Sequence, residues 1–415
     1  MTVSLSPART RWALLALAIG SFGIGTTEFV AMGLLPDIAR DLLPGVWEAN
    51  QEEALSRAGW VISAYAAGVV VGAPTIAAAS ARFPRKTVLT VLAAVFTLGT
   101  VASALAPTFG TVIAARFVAG LPHGAYFGIA ALVAASLMGP ERRGQAAAFV
   151  LAGLTIANVV GVPAVTALGQ SAGWRVAYLV VAGMFALATV AIALSLPHGP
   201  GDPHATIRRE VGALARPAVW FALLTGALGF GGFFAVYSYV SPLATEITGT
   251  SEGFVPIALM TVGVGMTVGN FVGGRMADSG AIRAIFWLFG AFAVSLTLLI
   301  VTASSLVGLL TGLFLVGGSA AALSPAIQTR LMDVAGDSQT MAAALNHSAL
   351  NIGNSIGAAL GGAVLAAGLG YLAPTWVGLV LCVPGVLCAL AGLAVTRRAA
   401  VRGAVEGEPV PARVV

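Results

Sequence analysis

The sequence predicts an all-α integral membrane protein, with twelve transmembrane helices arranged as two six-helix, pseudo-symmetric bundles. Three observations carry that prediction. The 415 residues are 58% hydrophobic and only 9% charged, with a mean hydropathy of +0.95, whereas soluble domains carry about 25% charged residues. Apolar stretches long enough to cross a bilayer, about 20 residues each, recur twelve times. A polar, proline-rich break then divides those stretches six and six.

The first stretch, 12–36, holds a single charge, Glu28, too deep to reach water by snorkelling. An acidic residue at the middle of a spanning helix costs roughly 2.5–3.5 kcal/mol on insertion scales, so it needs a partner or a wet cavity. The run is longer than a signal-peptide core and ends at Pro36-Asp37 without an Ala-x-Ala-like site, so it is expected to be a retained span. A loop from Asp37 to Arg57 follows, with five acids against two arginines, and is read as solvated. Five more spans are expected at 58–80, 87–106, 109–135, 145–168 and 175–196. Pro197, Pro200 and Pro203 with His204 and Arg208-Arg209-Glu210 mark a linker, giving units of 1–197, 198–217 and 218–415. The second unit supplies spans at 218–240, 254–274, 284–303, 306–327, 340–368 and 375–396. A basic turn after the second span, Arg82 to Lys86, is echoed after the eighth by Gly274-Arg275-Met276-Ala277-Asp278. Two repeated bundles describe a rocking transporter with its site at their interface.

The net charge of +5 does not point to nucleic acid, because the basic residues are dispersed between apolar spans. They read as topology signals instead. With both termini in the cytoplasm, 17 of the 21 Lys and Arg residues fall on inner segments and only Arg40, Arg57 and Arg175 lie outside. Arg116 is the remaining one, inside the fourth span. Cys382 and Cys388 share the last span, so neither a disulfide framework nor a thiolate metal site is indicated. His198 and His204 lack supporting ligands, and no cofactor is expected. No Gly-x-x-x-x-Gly-Lys-Ser/Thr loop is present; the glycines from Gly263 to Gly269 lie inside a span and suit helix packing.

These motifs resemble the major facilitator superfamily, in particular its twelve-helix drug:proton antiporters and, among them, the AraJ-like and sugar- or chloramphenicol-efflux group. The resemblance covers essentially the whole chain, from Phe22-Gly23-Ile24-Gly25-Thr26-Thr27-Glu28-Phe29 to Asn346-His347-Ser348-Ala349-Leu350-Asn351-Ile352-Gly353. Arg82, Arg85 and Lys86 match the superfamily's loop motif, while Ala77, Ala81 and Pro84 stand where glycine, aspartate and glycine are usual. Gly274, Arg275 and Asp278 carry the related arrangement in the second half, where a latch is implied. Arg116-x-x-x-Gly120-x-x-x-Gly124 resembles the motif whose arginine is implicated in proton coupling. Gly153 through Asn158 with Gly161-Val162-Pro163 resembles the antiporter motif, its usual Gly-Pro pair interrupted by Val162.

Glu28 and Arg116 sit at matched depth, roughly 10–12 Å from the outer face at 1.5 Å per residue. The resemblance places both helices against a central cavity, so a Glu28–Arg116 pair, direct or through water, is expected. Glu28 would take a proton facing outward as substrate leaves, and lose it facing inward; a permanent structural ion pair is the other reading. In the eleventh span, His347, Asn351 and Asn354 share one face, with Asn346 beside it. That stripe either lines the cavity or joins helices by hydrogen bonds. Tyr237 and Tyr239 either stack on a substrate ring or form an interfacial belt. Met32, Tyr126 and Asn158 are further candidates for the site wall, and His123 is read as structural. The expectation is therefore a proton-coupled exporter of drug-, sugar- or nucleoside-like molecules, working as a monomer without catalytic residues. A proton-linked importer is the second reading. A membrane enzyme would need a catalytic constellation near the interface that the sequence lacks.

Overall fold

Charge-free runs of small and aliphatic residues can hide their backbone polar groups in lipid only as helices, and the computed structural model places them so. It describes residues 6–80, 83–139, 143–197, 212–335 and 339–405. Among these, twelve helices are long and apolar enough to cross a membrane: Ala8–Gly33, Gln51–Ala73, Arg85–Leu105, Phe109–Met138, Ala148–Ala172, Trp174–Ser195, Pro217–Tyr237, Glu252–Ser279, Ala281–Thr302, Leu306–Ala335, Leu345–Ala366 and Ala373–Arg398. No strand occurs among the described residues. An even number of spans puts the described chain ends at one end of the molecule, here called the terminal end.

The expected solvated loop at the opposite end is instead helical. Leu35–Leu42, Pro44–Ala49 and Gln51–Ala58 follow one another, and the second span begins at Gln51 instead of 58. Acids and amides mask an amphipathic pattern there: Ile38, Ala39, Ala54, Leu55 and Ala58 are buried while the charged residues are exposed or half-buried. The Asn50 side chain caps the third of these helices by accepting from the Glu53 amide at 3.0 Å. This is called the loop end below.

Glycines set the spacing between spans. A methyl at Gly68 or Gly72 would overlap the Phe117 or Leu121 carbonyl, and one at Gly120 would overlap that of Tyr65, so the second and fourth spans meet backbone to backbone. Gly124 packs on Ala73 in the same seam. Gly265, Gly269 and Gly273 do the same against the tenth span, and Gly353 and Gly357 against the seventh. Prolines set the breaks. Pro122 starts a second helical segment in the fourth span, and in the fifth Ala157–Gly161 is a π-helical turn. Pro163, buried just after it, has no N–H to close the usual i→i−4 bond, and the turn widens there by one residue.

The two bundles touch through the second and eleventh, fifth and eighth, and fourth and eleventh spans, and Phe29 of the first span meets Phe234 and Tyr237 of the seventh. Polar bonds between them gather toward the loop end: Ser63 Oγ donates to the Ser355 carbonyl at 3.3 Å and Ser355 Oγ to that of Ser63 at 3.2 Å. Further out, Arg40 pairs with Glu252 at 3.3 Å, and Gln170 Nε2 donates to the Glu252 carbonyl at 2.9 Å. The expected linker falls mostly on 198–211, outside the described residues; Gly212–Ala215 is a short 3₁₀ turn leading into the seventh span.

Candidate functional site

Arg116 is fully buried, and its position follows from the first span. Its Nη1 donates to Thr27 Oγ1 at 3.1 Å and its Nη2 to the Thr27 carbonyl at 3.0 Å. The guanidinium lies over the Tyr65 ring, 4.3 Å from its centre, and 5.4 Å from that of Tyr178. Planar delocalised charge, two donors in a fork and aromatic faces are what arginine satisfies and lysine does not. Glu28, the next residue along, is 2% exposed. Depth matching therefore holds, but the direct ion pair does not: Arg116 binds Thr27, leaving Glu28 within electrostatic reach only. The cause is helical geometry, since neighbouring residues on a helix point about 100° apart and Arg116 meets the Thr27 side.

Glu28 instead faces the second bundle. Its carboxyl stands beside the Asn354 side chain of the eleventh span and within electrostatic reach of Tyr237 of the seventh. Glu28 Oε1, both amide atoms of Asn354, Tyr237 Oη, Asn351 Oδ1 and Asn158 Oδ1 are all buried with no hydrogen-bond partner. Unsatisfied buried polar groups each cost about 1–3 kcal/mol, so a cluster of them at one seam marks a place where a ligand or water completes the bonding. Beside it lies an aromatic wall. Phe29 packs on Phe234 at 6.1 Å and Tyr237 at 5.6 Å, and Phe233 on Tyr237 at 5.1 Å. Met32 is buried one turn beyond Phe29.

Other expected site residues fall elsewhere. Tyr239 Oη donates to the Ala358 carbonyl at 2.7 Å, and Gly59, Gly361 and Gly362 pack around its ring, so it joins three helices toward the loop end. Tyr126 Oη donates to the Leu17 carbonyl at 3.0 Å and ties the fourth span to the first within one bundle. Asn346 Nδ2 donates to Ser324 Oγ at 3.3 Å, the helix-joining alternative for that residue. Asn351 Nδ2 bonds the His347 carbonyl one turn back at 3.0 Å. His347 stacks on Phe127 of the fourth span, 5.4 Å between centres. Gly161 packs on Phe22 and Thr26, where the first and fifth spans approach closely.

Of the loop-motif residues, Arg82 lies outside the described residues. Arg85 and Lys86 open the third span, half-buried. Arg275 stacks on Phe271 of its own helix, 3.8 Å from the ring centre, and Asp278 is exposed, with no ion pair among the described residues. Arg175 makes the firmer joint: it pairs with Asp41 at 3.0 Å and donates to the Ala104 and Ala106 carbonyls, while Trp174 Nε1 donates to Asp41 at 3.0 Å.

Sequence reasoning missed Thr27, Tyr65, Tyr178 and the Phe29–Phe233–Phe234 wall. Thr27 adjoined Glu28 and was a visible polar residue in an apolar run. The aromatic residues carried no signal, because a ring in a span is ordinary packing until its neighbours are known.

At the loop end a cavity of about 440 Å³ lies between the bundles, lined by Asp37, Arg40, Trp47, Glu246, Glu252 and Tyr371 among others. Asp37 lies outside the spans. Burial raises its pKa above the ordinary 3.8, nearby Glu252 adds to the rise and Arg40 opposes it.

Residues 17–260 and 227–414 match the sequence profile described as Major Facilitator Superfamily. The chain is 40% identical over 366 residues to the inner membrane transport protein YdhP of Escherichia coli K12, covering 88% of this chain and 91% of that one. It is 32% identical over 367 residues to a chloramphenicol resistance protein of Streptomyces lividans, covering 88% and 91%. A crystal structure of a bacterial homologue of the human lysosomal transporter Spinster superposes with a TM-score of 0.70 at 16% identity, over 95% of this chain and 98% of that one. This chain therefore belongs to the Major Facilitator Superfamily, as a twelve-helix, multi-pass membrane transporter.

Proposed function

We propose that the protein is a proton-coupled exporter of small polar molecules bearing an aromatic or apolar face, working by alternating access with both termini cytoplasmic. The observation that carries this reading is Glu28: a carboxyl buried at the seam between bundles, not ion-paired, among unsatisfied polar groups and an aromatic wall. A lone buried carboxylate costs far more than a protonated one, so its proton occupancy changes as the bundles part and water enters. Exposed to the outside, Glu28 takes a proton while cargo leaves; exposed to the cytoplasm, it gives the proton up and the charged, vacant site accepts cargo again. Amides, a phenol and a carboxyl offer donors and acceptors without a permanent cation, which suits hydrogen-bonding cargo of the amphenicol, sugar or nucleoside type. The name of the Streptomyces lividans relative is consistent with the first of these. One proton crossing 100 mV releases about 2.3 kcal/mol, enough for roughly a fortyfold concentration ratio of a neutral compound.

Expression in an efflux-deficient host, challenged with amphenicols and other toxic small molecules, tests the proposal. Protection that disappears with Glu28→Gln and with a protonophore supports it. Protection that Glu28→Gln leaves intact contradicts it.

A further inference from the structure

Three groups that the scheme above leaves unused stand in line through the seam between the bundles. Tyr65 lies under the Arg116 guanidinium and within electrostatic reach of Glu28. Its Oη shares a hydrogen bond of 3.2 Å with His123 Nδ1, both residues being buried. The His123 ring is 6.4 Å from that of His347, centre to centre, and Phe127 fills the angle between them at 5.2 and 5.4 Å.

The line also has a direction. His123 is seven residues beyond Arg116, about 10 Å further toward the terminal end at 1.5 Å per residue. His347 lies eight residues from the terminal-end start of the helix Gln339–Ala366, and it is half-buried where the other two are enclosed. Tyr65 and His123 belong to the first bundle and His347 to the second, so the step between the imidazoles crosses the seam that rocking would open. Helix packing alone asks only for rings of this size; a phenol bonded to an imidazole in an apolar interior is the costlier choice. The titratable groups facing His123 are Tyr65 from the second span and His347 from the eleventh; those facing Tyr65 are Glu28, Arg116, Tyr178 and His123.

We infer that Tyr65, His123 and His347 form the path by which a proton passes between Glu28 and the terminal end. It rests on Glu28 being the proton carrier. The carboxyl O–H of Glu28 breaks as its proton passes, by way of water, to Tyr65 Oη, and the phenol's own proton moves to His123 Nδ1. The proton on His123 Nε2 passes on toward His347 and from there to water. Each bond to hydrogen that breaks is matched by one that forms, the phenol and both imidazoles end neutral, and the net change is a carboxylate at Glu28 and one proton released.

The test needs no cargo. The full chain is reconstituted in lipid vesicles on a solid-supported membrane, and the transient current after a pH jump is recorded in normal and heavy water. Wild type should give a charge movement that Glu28→Gln abolishes. Tyr65→Phe, which keeps the ring under Arg116, and His123→Asn should slow that current at least tenfold while leaving the total charge moved unchanged, which also shows that each variant is folded. The solvent isotope effect should change with them, as it would not for a packing role. Currents within twofold of wild type in both variants would overturn the path while leaving Glu28 as carrier. A wild-type current indifferent to Glu28→Gln would overturn the carrier itself, and the path with it.

Discussion

Two threonines separate the bonds that hold the buried arginine from those that only fill space. Thr27 Oγ1 accepts from Arg116, and a hydrogen bond to a charged group contributes about 1.5–3 kcal/mol. Thr100 is equally buried, but its Oγ1 has no partner. Thr27→Val should therefore lower the thermal unfolding midpoint in detergent, whereas Thr100→Val should leave it unchanged or raise it. A lower midpoint for Thr100→Val alone would show that the assignment of partners is wrong. Arg116→Lys keeps the charge but loses the fork onto Thr27 and the stack on Tyr65, and should reduce transport at least tenfold, measured in vesicles. Glu28 and Arg116 were legible in the sequence because a charge in a charge-free run needs a reason. Their bonding was not, because depth along two helices says nothing of the angle about each axis, and that angle gave Arg116 to Thr27 and Glu28 to the second bundle.

Elements carry the next level of prediction, since they set which backbones touch. A methyl on Gly269 would run into the Gly318 carbonyl, whereas Gly128 has nothing within 4 Å. Gly269→Ala should destabilise by about 1–3 kcal/mol as overpacking does, and Gly128→Ala should be neutral or stabilising by up to about 1 kcal/mol, since alanine is the better helix former; thermal unfolding of the pair checks both. The short helices of the loop end carry Asp37, whose pKa is raised by burial and by Glu252 against the pull of Arg40. A carboxyl with a raised value in the folded state favours that state when protonated. Contact between the bundles at this end is thus fully supported below pH 3.8, the ordinary value, and weakens as the pH rises through the higher value held in the closed form. Spin labels on Gly45 and Gly253 should move apart over that rise, and Asp37→Asn should remove the dependence. The twelve spans were readable from hydropathy alone. The helices at 35–58 were not, because their alternation of acids with Ile38, Ala54 and Leu55 has too short a period and too many charges to stand out from a loop.

At the scale of the whole molecule the bundles meet toward the loop end through the Ser63–Ser355 exchange, Arg40–Glu252 and Gln170. Phe29 and Phe234 meet from opposite bundles. Six and six were visible in the sequence as a proline-rich break, and family membership followed from motifs spread along the chain. Which polar residues would face across the seam was only half visible: His347 and Asn354 do, while Asn346 turned to Ser324 within its own bundle, and Tyr239, which packs on Gly59 of the first bundle, gives its hydroxyl to Ala358 of its own. A stripe on one helix has a face, but only the partner helix decides what that face meets. On the proposed mechanism, Glu28 links the proton gradient to cargo movement between these bundles. Everted vesicles loaded by an imposed pH gradient with a compound to which the protein confers protection test it most directly. Wild type should concentrate the compound and lose it on adding a protonophore, and Glu28→Gln should still exchange labelled for unlabelled compound but never exceed a ratio of one; accumulation by Glu28→Gln equal to wild type would contradict the claim.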